Sequence, residues 1–324
     1  MTHAIRLHAT GGPEVLQWEE VSLPAPGPGE ALVRHMAVGL NFIDIYFRSG
    51  LYPMPLPNGL GLEGAGVIEA VGENVQDLKI GDRVAYGTGP LGAYAEARVM
   101  PAQHLVKLPD AISDQQAAAM MLQGMTARYL LRQTYAVQPG DAIVMHAAAG
   151  GVGLILCQWA KALGATVVGT VSTPAKADLA RAHGCDHVVI SGQEDLVAIV
   201  KSLTGGKGVP VVYDGVGKDT FITSLNCLRP RGVMVSFGSA SGPVPPFDLK
   251  ELASRGSLFL TRPSLFHYTS DRAELVENAN DLFDVVMSGK VKIPVNQTYA
   301  LRDAAQAQID LAGRKTTGST LLLP

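Results

Sequence analysis

The most constraining feature of this chain is a strand, a glycine-rich turn and a helix in immediate succession. Ala142-Ile143-Val144-Met145-His146 leads into Ala147-Ala148-Ala149-Gly150-Gly151-Val152-Gly153 and then an apolar run. At such a turn the unsatisfied N–H groups and dipole of the helix N-terminus attract an anion, and glycine lets the backbone approach a pyrophosphate. Gly153 is expected to permit tight helix–strand packing, whereas the usual first glycine is replaced by Ala148. Alone, the segment has a structural turn as a serious rival. Its surroundings favour binding, because apolar strand-like runs recur at Ala142–His146, Thr166–Val171, His187–Ile190, Val209–Tyr213, Val233–Phe237 and Leu258–Thr261. Helical patterns such as Gly153–Leu163 and Ala175–His183 lie between them. That alternation predicts a doubly wound parallel sheet with both faces covered, carrying a dinucleotide.

The end of the second strand bears on which dinucleotide. An NAD site normally places Asp or Glu there to bond the ribose 2′-hydroxyl. Here the chain reads Gly169-Thr170-Val171-Ser172-Thr173-Pro174-Ala175-Lys176, with no carboxylate before Asp178. Hydroxyls and an ammonium suit a 2′-phosphate, which a carboxylate would repel, so NADPH is expected with Ser172 and Lys176 against it. The competing reading makes Ser172 and Lys176 a helix cap and a solvated side chain.

Residues 1 to about 120 have a different character. Period-two alternation at Ile5–His8, Ala31–Arg34 and Val67–Val71, separated by turns such as Pro26-Gly27-Pro28-Gly29 and Gly81-Asp82, predicts a small antiparallel barrel. A helix over Arg272–Ser288, a strand, a helix over Leu301–Leu311 and a final strand are expected to return to it. With 47% hydrophobic and 17% charged residues the chain can fill two cores, and a net charge of −3 disfavours nucleic-acid or anionic-membrane binding. The sequence shows no secretory signal and no apolar run long enough to span a bilayer, and three scattered cysteines make no disulfide framework. A cytoplasmic protein is expected.

Several spaced segments resemble one family. Gly140-Asp141 through Ala148–Gly153, with Gln158 and Lys161, is similar to the signature of the quinone oxidoreductase (zeta-crystallin) group, a zinc-independent branch of the medium-chain dehydrogenase/reductase superfamily. Val38–Asp44, Arg48–Tyr52, Gly61–Gly66, Gly81–Val84 and Gly313–Gly318 agree with it, so the likeness runs along essentially the whole chain. The resemblance implies an α/β protein: a GroES-like β-barrel catalytic domain over 1–122 and 264–324, a Rossmann domain over 123–263, and an active cleft between them. It places cofactor contacts on Asn41, Asp44, Tyr46, Thr126, Gly150, Gly151, Val152, Gly153, Ser172, Lys176, Phe237, Ser239 and Arg314. Ser191 stands where relatives often carry a Tyr beside the 2′-phosphate.

Zinc-dependent relatives need a thiolate and imidazole set and a four-cysteine lobe. Here no Cys lies near Asn41, Leu62 takes the place of a ligand His, and His183, Cys185 and His187 suit strand packing better than a metal. Without a metal, hydride transfer from NADPH to an electrophilic quinone needs only a hydrogen-bond donor on the carbonyl oxygen. Asn41, Tyr46 and Tyr52 are the candidates, with Gln123 and Thr126 as further lining residues. Against this, Asn41 could satisfy backbone at a strand end and the tyrosines could be core. The implied activity is an NADPH-dependent quinone reductase. A reductase of α,β-unsaturated aldehydes or ketones is the alternative, and a non-catalytic NADPH- or RNA-binding protein is a rival of another class. The apolar segment Ser257–Thr261 at a sheet edge predicts a homodimer.

Overall fold

A computed structural model of the chain describes residues 1–324. Two compact units result: Met1–Met125 with Thr269–Met287 and Ile293–Pro324, and Thr126–Tyr268 with Ser288–Lys292. The partition therefore falls a few residues from the expected 122/123 and 263/264. The short stretch Ser288–Lys292 joins the second unit because Lys292 donates its N–H to Gln158 Oε1 at 2.9 Å and its carbonyl accepts from Gln158 Nε2 at 3.0 Å.

The second unit holds a six-stranded sheet in which every pairing is parallel. In spatial order the strands are His187–Ile190, Thr166–Val171, Ala142–Met145, Val209–Asp214, Leu228–Ser236 and Phe259–Thr261. Numbered along this unit that order is 3-2-1-4-5-6, whose reversal point beside Ala142–Met145 is where such sheets bind ligands. Val209–Asp214 is buried at all six positions, as a strand covered on both faces must be. Val144, Val168, Val189 and Val212 from four strands meet Phe221 and Leu225 of a covering helix in one core.

In the first unit, the long strand Glu30–Leu40 organises a seven-stranded sheet with Gly64–Val71, Arg83–Tyr86, Val106–Lys107, Ala97–Pro101, Ser319–Leu323 and Val295–Ala300. Burial alternates from Glu30 to Ala37 and is continuous from Ala37 to Leu40, and Ala31, Val33 and Val38 form a core with Ile68, Val84 and Leu322. The C-terminal strand pairs antiparallel with Leu40, Gly39 and Val38. In the returning tail, outside the stretch expected to be antiparallel, Val295–Ala300 and Ser319–Leu323 run parallel. The helix Ala304–Ala312 between them is a crossover, and a crossover returns the chain in the same direction.

Candidate functional site

The glycine turn begins where the strand Ala142–Met145 ends. Ala147 takes a left-handed backbone (φ 53°), a conformation costing an L-residue on the order of 1 kcal/mol. The helix Gly151–Ala162 then starts with Gly150 at its N-cap and no side-chain cap on its first N–H groups. A Cβ on Gly153 would lie 2.4 Å from the Ala147 carbonyl oxygen, so this glycine lets helix and turn pack closely. Ala148 is accommodated from the neighbouring strand: a Cβ on Gly169 would fall 2.7 Å from the Ala148 Cβ and 2.5 Å from Cys185 Sγ. The glycine missing at 148 has its space supplied at 169. An uncapped helix start behind a small-residue turn fits a dinucleotide pyrophosphate.

Ser172 and Ser191 emerge side by side. Val171 pairs with Ile190, and Ser191 donates its N–H to the Val171 carbonyl at 2.8 Å. Both serines are exposed. The helix Pro174–Ala182 is capped not by Ser172 but by Thr173, whose Oγ1 accepts from Lys176 N at 3.3 Å, so Ser172 has no capping duty. Asp178, the nearest following carboxylate, forms an exposed ion pair with Arg181 at 3.0 Å. At the other side of the sheet Phe237 is half-buried, and its backbone N–H donates to the Asp214 carbonyl at 2.9 Å. Arg262 braces this segment by donating to the carbonyls of Ser236 (2.9 Å) and Gly238 (2.7 Å) and to Ser239 Oγ (3.2 Å). Thr126 is buried in the helix Met121–Tyr129.

Beneath the turn lies a polar chain that sequence reading missed. His146 Nδ1 is 2.9 Å from Thr170 Oγ1, and its Nε2 is 2.9 Å from Ser224 Oγ. Ser224 donates to Asp214 Oδ2 at 2.9 Å, and Asp214 Oδ1 accepts from the N–H groups of Val216 (2.8 Å) and Gly217 (3.0 Å). Burial lowers the His146 pKa, partly offset by Asp214. The chain ties three strand ends to one helix. With its serine buried and donating to the carboxylate, it has no nucleophile to offer. A lone His closing an apolar strand was the available signal.

In the first unit, Asn41 precedes the helix Phe42–Ser49 and is 4% exposed. Its Nδ2 donates to Glu63 Oε2 at 2.6 Å, and its Oδ1 accepts from Gln123 Nε2 at 3.1 Å. Gln123 Oε1 accepts from Ser319 Oγ at 2.8 Å. Glu63, wholly buried, also accepts from Leu122 N at 2.8 Å. Burial pushes its carboxyl up to about 8, against the pull of the Asn41 and Leu122 donors. Asp44, expected against the cofactor, uses Oδ2 to accept from Asn41 N (2.9 Å) and Tyr94 OH (2.8 Å), while its buried Oδ1 has no hydrogen-bond partner. It is fully buried, which lifts it to about 7. Tyr46 and Tyr52 are brought together, their ring centroids 5.2 Å apart, with Tyr52 N donating to the Tyr46 carbonyl at 3.0 Å. Tyr46 is 8% exposed and Tyr52 half-buried. Arg314 is exposed and takes a left-handed backbone (φ 59°) just past the helix Ala304–Ala312. A carboxylate set among glycines in Gly61-Leu62-Glu63-Gly64 was the one sequence sign of Glu63's role.

No group of three or more His, Cys, Asp or Glu side chains is arranged to hold a metal ion. His183 Nδ1 lies 2.8 Å from the Leu179 carbonyl and Cys185 Sγ 3.3 Å from Cys157 Sγ.

Residues 27–110 match the family profile described as alcohol dehydrogenase GroES-like domain, and residues 151–280 that described as zinc-binding dehydrogenase. A quinone oxidoreductase of Pseudomonas aeruginosa is 55% identical over 100% of both chains. The chain belongs to the quinone oxidoreductase family. This is a group of the medium-chain dehydrogenase/reductase superfamily, and the two sheets described above are its GroES-like and Rossmann domains. Two further relatives are informative. The crystal structure of Escherichia coli quinone oxidoreductase complexed with NADPH superposes with a TM-score of 0.98 at 50% identity, covering 99% of this chain and 100% of that one. A 2-haloacrylate reductase of a Burkholderia species is 48% identical over 100% of this chain and 99% of its own length. As a quinone oxidoreductase family member the chain is an oxidoreductase, and no helix in it is long and apolar enough to cross a membrane.

Proposed function

We propose that this protein is an NADPH-dependent quinone reductase working without a metal. The carrying observation is the uncapped glycine turn followed by a second strand whose end bears Ser172 and Lys176 and no free carboxylate, in a chain alike along its full length to quinone oxidoreductases. Gly150, Gly151, Val152 and Gly153 would cradle the pyrophosphate. Ser172, Lys176 and Ser191 would receive the 2′-phosphate, and Arg314 is a cofactor position carried by family resemblance. Asn41, Asp44, Tyr46, Thr126, Phe237 and Ser239 are the further cofactor positions carried by family resemblance. Through Oδ2 Asp44 also places Asn41 and the helix that bears Tyr46.

NADPH, when bound, supplies the hydride. The residues of this chain orient the acceptor: amide N–H groups of Asn41 or Gln123 would hold a carbonyl oxygen, and the Tyr46 or Tyr52 phenol would donate a proton to it. A preorganised donor of this kind stabilises the charge that develops on oxygen as hydride arrives. A quinone or a conjugated enone meets the same requirement. The likeness to a 2-haloacrylate reductase supports the second reading, a reductase of α,β-unsaturated carbonyl compounds. Oxidation of NADPH and of NADH should be followed at 340 nm with a panel of quinones, enones and 2-haloacrylate. The quinone reading predicts the highest kcat/KM for quinone with NADPH. A clear preference for the other acceptors reverses the order of the two readings, and no turnover with any of them refutes both.

We also place the protein in the cytoplasm and propose a homodimer. Cys157, Cys185 and Cys227 are unpaired thiols, in keeping with a reducing compartment. Phe259 and Leu260 lie in the strand at the sheet edge and are 61% and 36% exposed, which suits pairing with a second copy. A monomeric mass by light scattering would exclude the dimer.

A further inference from the structure

The amide chain Glu63–Asn41–Gln123–Ser319 has a direction, and its two ends differ in their power to set it. A primary amide is nearly symmetric in shape, so packing alone does not choose which face carries oxygen and which nitrogen. At one end both Glu63 oxygens take N–H donors, Leu122 N at 2.8 Å and Asn41 Nδ2 at 2.6 Å. The Leu122 donor is backbone and cannot be reversed. Ionised Glu63 offers Asn41 only an acceptor, so Asn41 turns its nitrogen toward Glu63 and its oxygen toward Gln123. Gln123 must then offer Nε2 to Asn41, at 3.1 Å, and leave Oε1 for the Ser319 hydroxyl. The other end is indifferent. Ser319 Oγ also lies 2.7 Å from the Ala119 carbonyl, so with both amides reversed it would donate there and accept from Gln123.

We propose that Glu63 is a positioning residue: by accepting from Asn41 Nδ2 it makes the second amide N–H groups of Asn41 and Gln123 the donors presented to a carbonyl oxygen of the acceptor or of the nicotinamide carboxamide. With the chain reversed, each of those N–H groups is replaced by a carbonyl lone pair, which repels such an oxygen. Glu63, Asn41 and Gln123 are 0%, 4% and 7% exposed, so the protein interior rather than bulk water surrounds this chain. Space for the carboxyl is cleared by Gly39, where a Cβ would lie 2.2 Å from Glu63 Oε2 and 2.5 Å from the Ala118 carbonyl oxygen. The inference deepens the reductase reading and rests on it for the identity of the carbonyl.

The test moves the acid to the other side of Asn41. In Glu63→Gln the new amide must give its oxygen to the Leu122 N–H and so its nitrogen to Asn41, and because the Ser319 end is indifferent the chain already runs in reverse. In Glu63→Gln combined with Gln123→Glu, the carboxylate now at position 123 accepts from Asn41 Nδ2. The amide introduced at position 63 donates to Asn41 Oδ1, so Asn41 is locked in reverse. Charge and volume are conserved in the pair. Above pH 8, where Glu63 is ionised, a fall in kcat/KM of roughly 100-fold is expected in both the single and the double variant, the scale of losing one preorganised donor. Binding of 2′,5′-ADP, which has no nicotinamide, should match wild type. Wild-type kcat/KM in the double variant overturns the proposal. Should the variant lack a cooperative melt, neutron diffraction of the wild-type protein above pH 8 decides: a deuteron on Asn41 pointing at Glu63 is expected, and Asn41 oxygen pointing at Glu63 overturns it. Wild-type protein inert toward every quinone and enone would refute the reductase reading, while the neutron map would still decide the direction of the amides.

Discussion

Replacing Glu63 by Gln removes a titrating group at almost constant shape, and its effect on stability should depend on pH in a calculable way. In the folded chain burial raises this carboxyl to about 8 from an ordinary 4.5. Between those values the folded state keeps a proton that the unfolded chain has released, so stability falls as pH rises. One proton corresponds to about 1.4 kcal/mol per pH unit. Over two units inside the window, from roughly pH 5.5 to 7.5, the wild type should therefore lose about 3 kcal/mol relative to the variant. Asp44, raised from 3.8 to about 7, acts in the same direction. His35, lowered from 6.5 to about 4, acts in the opposite one, because there the unfolded chain binds the extra proton. These groups remain in both proteins and cancel, to first order, in the difference. Urea unfolding followed by Trp18 fluorescence in a Trp159→Phe background reports the unit that carries Glu63. A stability difference that does not change with pH would refute the reasoning and mean that the Asn41 and Leu122 donors keep the buried carboxyl ionised.

Three further outcomes are expected. Lys176→Ala should raise the NADPH Michaelis constant several-fold, about the strength of one charge-assisted hydrogen bond, and leave that for NADH nearly unchanged; equal changes would remove Lys176 from the 2′-phosphate site. Gly153→Ala places a Cβ 2.4 Å from the Ala147 carbonyl oxygen, so thermal unfolding should show a loss of about 1–3 kcal/mol together with weaker NADPH binding by fluorescence titration. Tyr46→Phe and Tyr52→Phe test the phenol donor: at least one should lower kcat, and full turnover in both leaves proton delivery to another group.

What could be read from residues alone was what short stretches of chain decide. The run from Ala142 to the helix over Gly151–Ala162, the strands Thr166–Val171 and His187–Ile190, and the absence of a carboxylate before Asp178 all follow from local periodicity, glycine placement and side-chain chemistry. Even the substitution at Ala148 was visible, although the room made for it by Gly169, 21 positions on in the chain, was not. The parallel pairing of Val295–Ala300 with Ser319–Leu323 also escaped, because each strand read alone is compatible with either direction and only the intervening helix decides.

The candidate site divides the same way. The sequence by itself determined which groups were available: Asn41, Tyr46 and Tyr52 near a turn, and Ser172 and Lys176 after a strand. Only the tertiary structure decided what those groups face. Asn41 meets Glu63 across 22 positions and Gln123 across 82, and Gln123 meets Ser319 across 196. Hydrogen-bond direction depends on which donor lies opposite which acceptor, and folding alone brings such distant residues within hydrogen-bond reach. A buried carboxylate that tells an amide which way to point is therefore invisible to periodicity and spacing, though every residue in the chain of bonds stands in plain view.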